Sequence, residues 1–238
     1  MTGRWASAVA VAASILASAA SPCVAQEAFL AEYEAAFLAD ATYGPLFKEM
    51  RGSYPVQWNE MIGESSRRLA AGAPAGEVDR YRREFLQRFN ASLRPDMKRA
   101  PARLIADYAR ANAEFLAQLK REDVNACVAI VTQRPVAPEA AERFAPETRK
   151  ALLRSQIAMM RAARAGAATP VQHGPPTRSD DATVSLAMTK AGGVSADVGK
   201  AGDPNSSLTP RQRCDAVADW AVAMTKTSNT IMARQLNR

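Results

Sequence analysis

Apolar side chains recur at every third or fourth position through nearly all of the chain before residue 165. This spacing places them on one face of an α-helix. The clearest example is the segment 77–93, where one helical face is formed by Val78, Tyr81, Phe85, Phe89 and Leu93. Because the helices are long and their connections short, neighbouring helices are expected to pack antiparallel. The sequence therefore predicts an all-α protein, an antiparallel bundle of five to seven helices.

The first 25 residues have the features of a secretory signal peptide. Arg4 supplies a positive charge, residues 5–17 form an uncharged apolar stretch, and residues 23–25 are compact, as a cleavage site requires. The apolar stretch is too short for a membrane span, and no later stretch reaches the ~18 apolar residues that one needs. We therefore expect a bacterial protein that is periplasmic or secreted, without a transmembrane segment in its mature chain. Retention of residues 1–25 as an anchor is the alternative.

The rest of the chain divides into three segments. Residues 26–165 are predicted to form the helical body. Residues 166–207 are rich in Gly, Pro, Ser and Thr and lack an apolar period, so they are predicted to be a flexible, linker-like section. Within them, residues 183–190 alternate apolar and polar side chains, which leaves strand, helix and disorder open. Residues 208–238 are predicted to form the C-terminal helix.

Export would leave the mature chain with two cysteines, Cys127 and Cys214, since Cys23 belongs to the signal segment. On their predicted helices both thiols share a face with apolar residues, so both should point into a core. An even pair of cysteines in an oxidising compartment commonly forms a bridge. The sequence therefore predicts a Cys127–Cys214 disulfide that ties the C-terminal helix to the body, with two free buried thiols as the alternative.

Motifs for catalysis and for metal or cofactor binding are missing from the sequence. Its single histidine, His173, lies in the Gly- and Pro-rich segment and is interpreted as a solvated loop residue. One histidine excludes two-histidine zinc motifs within the chain, and a loop residue could not hold the geometry of a catalytic triad. The carboxylates of Glu60 and Glu64 lie one helical turn apart. Because Arg67 and Arg68 follow them at helical spacing, we interpret the group as surface ion pairs. No catalytic residue, metal site or cofactor is predicted.

Two polar residues interrupt apolar helical faces. Arg82 falls inside the aromatic arc of the 77–93 helix, and Asn112 lies among apolar residues of the next helix. A buried arginine needs a partner for its charge, and a buried asparagine needs hydrogen bonds. Positions at a helix edge with local partners would satisfy both residues. Alternatively, the two helices frame a polar notch, with carboxylates such as that of Asp107, which could bind a ligand or a substrate.

Basic side chains are concentrated between residues 67 and 103, where ten basic residues accompany four acidic ones. This excess accounts for most of the formal net charge of +7. A basic cluster of this kind can bind anionic lipid, polysaccharide or an acidic protein. A solvated arginine-rich surface without a partner is the alternative. The residues predicted to form the binding surface are Arg67, Arg68, Arg80, Arg83, Arg94, Arg99 and Arg103.

These features together predict an exported, non-enzymatic helical protein that acts as an adaptor, scaffold, inhibitor or binding module at the cell envelope. Its expected partner is an envelope protein or an anionic envelope component, reached through the basic surface. Nucleic acid is not expected as a partner outside the cytoplasm. The alternative is an envelope enzyme or a carrier of a small ligand, with a polar site around Arg82 and Asn112.

Overall fold

A computed structural model describes residues 22–132, 143–203 and 205–237 of the chain. Over these residues the protein is all-helical and contains no strand. The all-α prediction is confirmed. The predicted five to seven helices undercount the eleven α-helices that these residues form, because several segments taken as single helices or as linker contain separate short ones.

The helices follow one another with few connecting residues. Proline occupies the first turn of several of them, where its missing N–H has no helical partner to lose. In chain order they are α1 (Pro22–Ala39), α2 (Gly44–Ser53), α3 (Pro55–Ala70), α4 (Ala75–Lys98), α5 (Ala102–Glu122), α6 (Val124–Val131), α7 (Pro146–Ala168), α8 (Arg178–Lys190), α9 (Val198–Ala201), α10 (Pro210–Met224) and α11 (Asn229–Gln235). A short 3₁₀ turn, Ser195–Asp197, precedes α9.

The chain divides into two compact units, and the division falls between Ser92 and Leu93, inside α4. In the first unit, α1, α2 and α3 pack together around a row of aromatic rings. The centroid of the Phe47 ring lies 5.2 Å from that of Phe37 and 5.8 Å from that of Trp58. Offset and edge-on ring pairs of this kind add to the free energy gained by burying apolar area.

The second unit is organised around α5, which packs against α7, α10 and α11. Side-chain contacts show that α5 and α7 run antiparallel. Thr148 at the start of α7 faces Gln118 near the end of α5, at an oxygen–oxygen distance of 3.4 Å, whereas Ser155 faces Asn112. Small buried side chains on the other face of α5, those of Ala106, Ala109 and Ala113, pack against α10 and α11.

Gly166 has a specific steric role in the second unit. An ideal Cβ built on it would clash with the carbonyl oxygen of Asp96 and would lie 2.9 Å from the backbone nitrogen of Ala100. The backbone of α7 therefore passes directly over the last turn of α4. Only a residue without a side chain allows this approach.

The section 166–207, predicted to be linker-like, contains the 13-residue helix α8. Residues 183–190, for which strand, helix and disorder were left open, are therefore helical. The Thr177 hydroxyl accepts a hydrogen bond from the Asp180 backbone N–H, and the Asp180 carboxylate accepts one from the Thr177 N–H. This reciprocal cap starts the helix, and Val184 and Met188 are buried on its inner face.

The connection between α7 and α8 also contacts the body of the second unit. The backbone N–H of Val171 donates to the carbonyl of Arg99 at 2.7 Å. His173 is half-buried, and its Nε2 atom lies 2.7 Å from the carbonyl oxygen of Ala100. The interpretation of His173 as a solvated residue is therefore wrong, because its ring is held against the backbone that follows α4.

Asp180 makes α8 sensitive to acid. Its buried carboxylate accepts a hydrogen bond from Arg234 on α11 at 2.7 Å, and this bond, with those from Thr177, holds the pKa of Asp180 below the usual 3.8. A lowered pKa in the folded state stabilises the protein above the ordinary aspartate range, and the effect is lost as the pH falls through the lowered pKa.

We therefore expect Asp180→Asn to unfold at a lower temperature than the native protein at about pH 7. The difference should shrink as the pH falls below about 4, because protonation then removes the same interaction from the native protein. Thermal unfolding followed by circular dichroism across this range measures the effect. A difference in unfolding temperature that stays the same at every pH would contradict this prediction.

Candidate functional site

The two cysteines of the predicted mature chain meet in the core of the second unit. The Sγ atoms of Cys127 on α6 and Cys214 on α10 are 2.00 Å apart, at disulfide distance, and their Cα atoms are 5.7 Å apart. Both residues are fully buried, in a cluster that includes Phe115, Leu119 and Phe144. The predicted proximity of the two thiols is thus confirmed. Because neither sulfur reaches solvent, the pair is suited to a structural role and not to exchange chemistry.

Arg82 is held inside the first unit by three neighbours. Its guanidinium donates a hydrogen bond to the Tyr33 hydroxyl at 2.7 Å, forms an ion pair with Asp79, and lies 4.9 Å from the centroid of the Phe37 ring. Only 14% of the Arg82 side chain is exposed. Desolvation lowers the pKa of Arg82, and burial raises the pKa of Tyr33. Arg82, which interrupts the aromatic face of the 77–93 helix, therefore has partners for both its charge and its hydrogen bonds.

We expect Arg82→Glu to lower the free energy of unfolding by about 3 kcal/mol, because it breaks a buried pair and adds a carboxylate beside Asp79. Arg80→Glu is the matched control on the same helix. It places the same charge change at an exposed position, where the cost should stay within about 0.5 kcal/mol. Urea unfolding followed by circular dichroism compares the two. Equal losses would show that Arg82 contributes no more than a surface residue.

Asn112 belongs to the second unit, whereas Arg82 belongs to the first. The Asn112 side-chain oxygen accepts a hydrogen bond from the Ser155 hydroxyl at the long distance of 3.5 Å. Asp107, also considered for the polar notch, is exposed and pairs with Arg110 at 3.1 Å. Each of these residues thus has partners within its own unit.

The residues of the predicted basic surface are distributed over both units, with those up to Arg83 in the first and those from Arg94 on in the second. All are exposed except Arg68, which is half-buried. Glu64 forms ion pairs with both Arg67 and Arg68, as the sequence predicted for this carboxylate. Arg68 also contacts Glu77 and lies 4.5 Å from the centroid of the Tyr81 ring.

Local partners therefore offset the charge of several members of the predicted surface. Arg99 likewise pairs with Asp96. By contrast, Arg80 and Arg103 form no salt bridge with any residue in the described part of the chain. Exposed ion pairs contribute little free energy and open readily, so a paired arginine can exchange its local carboxylate for an anionic group of a partner.

A basic groove lies between α5 and α7 in the second unit, with a volume of about 480 Å³. Arg103 stands on the α5 side, and Arg154 and Arg161 stand on the α7 side. Apolar side chains lie between them. The complete lining is Arg103, Leu104, Asp107, Arg154, Ile157, Ala158 and Arg161.

Sequence reasoning identified only one of the three arginines of the basic groove. Arg154 and Arg161 fall outside the stretch 67–103, where basic residues are dense along the chain. A signal for them does exist, since they are seven residues apart and therefore share one face of α7. The packing of α7 against α5 brings them close to Arg103.

Chemically, the basic groove is suited to bind an anion with an apolar part. A guanidinium can hold a carboxylate or phosphate through two parallel hydrogen bonds, and the floor offers Leu104, Ile157 and Ala158 to apolar atoms. No group of three or more potential metal-ligating side chains occurs among the residues the structure describes. Nor does any helix in the described ranges combine the length and apolar character needed to cross a membrane.

Comparisons of the chain with protein-family models, with curated proteins and with solved structures found no match.

Proposed function

We propose that the protein is an exported, non-enzymatic helical binding module that recruits an anionic partner at the cell envelope. Three observations support this proposal. The Cys127–Cys214 pair at disulfide distance fits an oxidising compartment. The exposed arginines provide a surface for anionic groups, and the signal-like segment 1–25 is consistent with export.

The observation that carries the proposal is the basic groove. Three arginines converge there on an apolar floor, with the single carboxylate of Asp107 among the lining residues. Arg154 pairs with the exposed Glu114, whereas Arg103 forms no salt bridge within the described ranges. A long-range positive potential speeds the encounter with an anionic partner and makes binding sensitive to salt.

Cosedimentation of the purified protein with bacterial envelope fractions tests the proposal. Three triple variants with equal charge change should be compared. One reverses the groove arginines (R103E/R154E/R161E), one reverses exposed arginines of α4 (R80E/R83E/R94E), and the matched control reverses exposed cations elsewhere (R178E/K200E/K226E).

We expect the native protein to bind in low salt and to be released as salt rises. The groove variant should bind at least about tenfold less than the control variant, because it loses charge-assisted contacts. Circular dichroism must show that all variants are folded. If neither the native protein nor the control variant binds, the proposed function is refuted. If only the α4 variant loses binding, the binding surface is on α4 and not in the groove.

A further inference from the structure

We infer that the basic groove is a docking site for an acidic amphipathic helix of a partner protein. The inference rests on the proposed function and deepens it, because it names the chemistry of the partner. Two antiparallel helices, α5 and α7, form the walls of the groove, and a third helix can lay a ridge of side chains between two such walls.

The dimensions of the groove match a short helical segment. Arg154 and Arg161 are seven residues apart on α7, which is about 10.5 Å along a helix axis or two turns. Ile157 and Ala158 lie between them in sequence and in the floor. Apolar residues on one face of a docked helix would contact this floor over the same two turns.

The charges are arranged on both sides of the apolar floor. Arg103 lies on one wall and the other two arginines on the opposite wall. A helix with glutamates or aspartates flanking an apolar stripe would therefore place carboxylates on both walls at once. Arg154 pairs with Glu114, but with 51% and 47% of the two side chains exposed this pair contributes little and can exchange for a partner carboxylate.

A flat anionic bilayer fits this surface less well than a helix does. Beyond the arginines, the same face of α7 carries Glu147, and the neighbouring wall carries Glu114, both of them exposed. An extended anionic surface would meet both carboxylates, whereas a helix that contacts the two turns from Arg154 to Arg161 would meet only Glu114, which already pairs with Arg154. Nor does the groove present an apolar residue that protrudes toward lipid, because Leu104 and Ile157 are half-buried.

Fluorescence anisotropy with a synthetic probe tests the inference. The probe is a fluorescein-labelled, capped 14-residue helix with leucines at helical spacing flanked by glutamates, and its control has glutamine in place of each glutamate. Both are titrated with the full chain. The variants are R103Q/R154Q/R161Q, the matched control R178Q/K200Q/K226Q, and A158W, which fills the floor and keeps every charge.

We expect the acidic probe to bind at least about tenfold more tightly than the glutamine probe. The groove variant and A158W should each weaken binding by at least about tenfold, and the control variant by less than about twofold. Circular dichroism checks that each variant is folded. If A158W does not fold, the comparison of the two triple variants decides.

Two results would overturn the inference. Equal binding by the groove variant and the control variant would show that the probe responds to net charge alone. The second such result is that the native protein does not bind the acidic probe. If the native protein then binds phosphatidylglycerol vesicles and the groove variant does not, the groove is a lipid site. Neither result would refute the proposed function, which fails only if the native protein shows no salt-sensitive binding to envelope fractions.

Discussion

Changing both Cys127 and Cys214 to alanine should lower the free energy of unfolding by about 4–5 kcal/mol relative to the oxidised native protein. The two cysteines are separated by 87 positions. A bond across so long a loop removes much conformational entropy from the unfolded chain, which is the main source of this estimate. The alanines would also leave a small gap in the cluster around Phe115, Leu119 and Phe144.

Guanidinium unfolding of the two proteins without reductant measures this loss. Peptide mapping of the unreduced native protein should find the Cys127 and Cys214 peptides linked. Two thiols that alkylate fully in unreduced, denatured protein would rule out the bond. In the folded protein we expect reductant to act slowly, since both sulfurs are buried away from solvent.

Gly166→Ala should cost about 3 kcal/mol of stability, the upper end for overpacking a rigid contact. The new methyl would meet backbone atoms of Asp96 and Ala100 and not the flexible end of a side chain. Relief therefore requires α7 to move away from the last turn of α4.

Gly199→Ala is the matched control for this substitution. Gly199 lies in α9 of the same unit, and a Cβ there would meet nothing within 4 Å. Alanine is favoured over glycine in a helix by about 1 kcal/mol, so this change should leave stability equal or slightly higher. Urea unfolding of both variants compares them. A Gly166→Ala protein as stable as the control would mean that α7 can move outward at little cost.

Much of the helical body was predictable because its apolar positions repeat without interruption. Val78, Phe85, Phe89 and Leu93, placed on one face by their spacing, are all buried. The proximity of Cys127 and Cys214 was also predictable, since each shares a face with apolar neighbours and no other cysteine competes in the predicted mature chain.

Other elements depend on contacts that the local pattern does not reveal. Helix α8 has only two buried apolar residues. Its first turn, which starts with the Thr177–Asp180 cap, has the polar composition of a loop. Helix α4 continues through Pro95 to Lys98, and Met97 in this last turn is buried in the second unit. In both cases tertiary packing outweighs the local preference.

The predicted C-terminal helix, residues 208–238, consists of α10 and α11 with a turn between them. Ser228 caps α11 by accepting a hydrogen bond from the backbone N–H of Ile231. The basic groove was missed for a related reason. Arg103 is distant in sequence from Arg154 and Arg161, and only the packing of α5 on α7 makes them neighbours.

A bond between Cys127 and Cys214 also changes what a protease can do to this molecule. Cleavage of a single peptide bond anywhere between these residues leaves two fragments that each keep one sulfur, so the fragments stay covalently joined. Residues 169–172, between α7 and α8, are exposed and are the kind of segment that proteases reach first. A nicked molecule would therefore retain both fragments in one particle, and they would separate on a denaturing gel only after reduction.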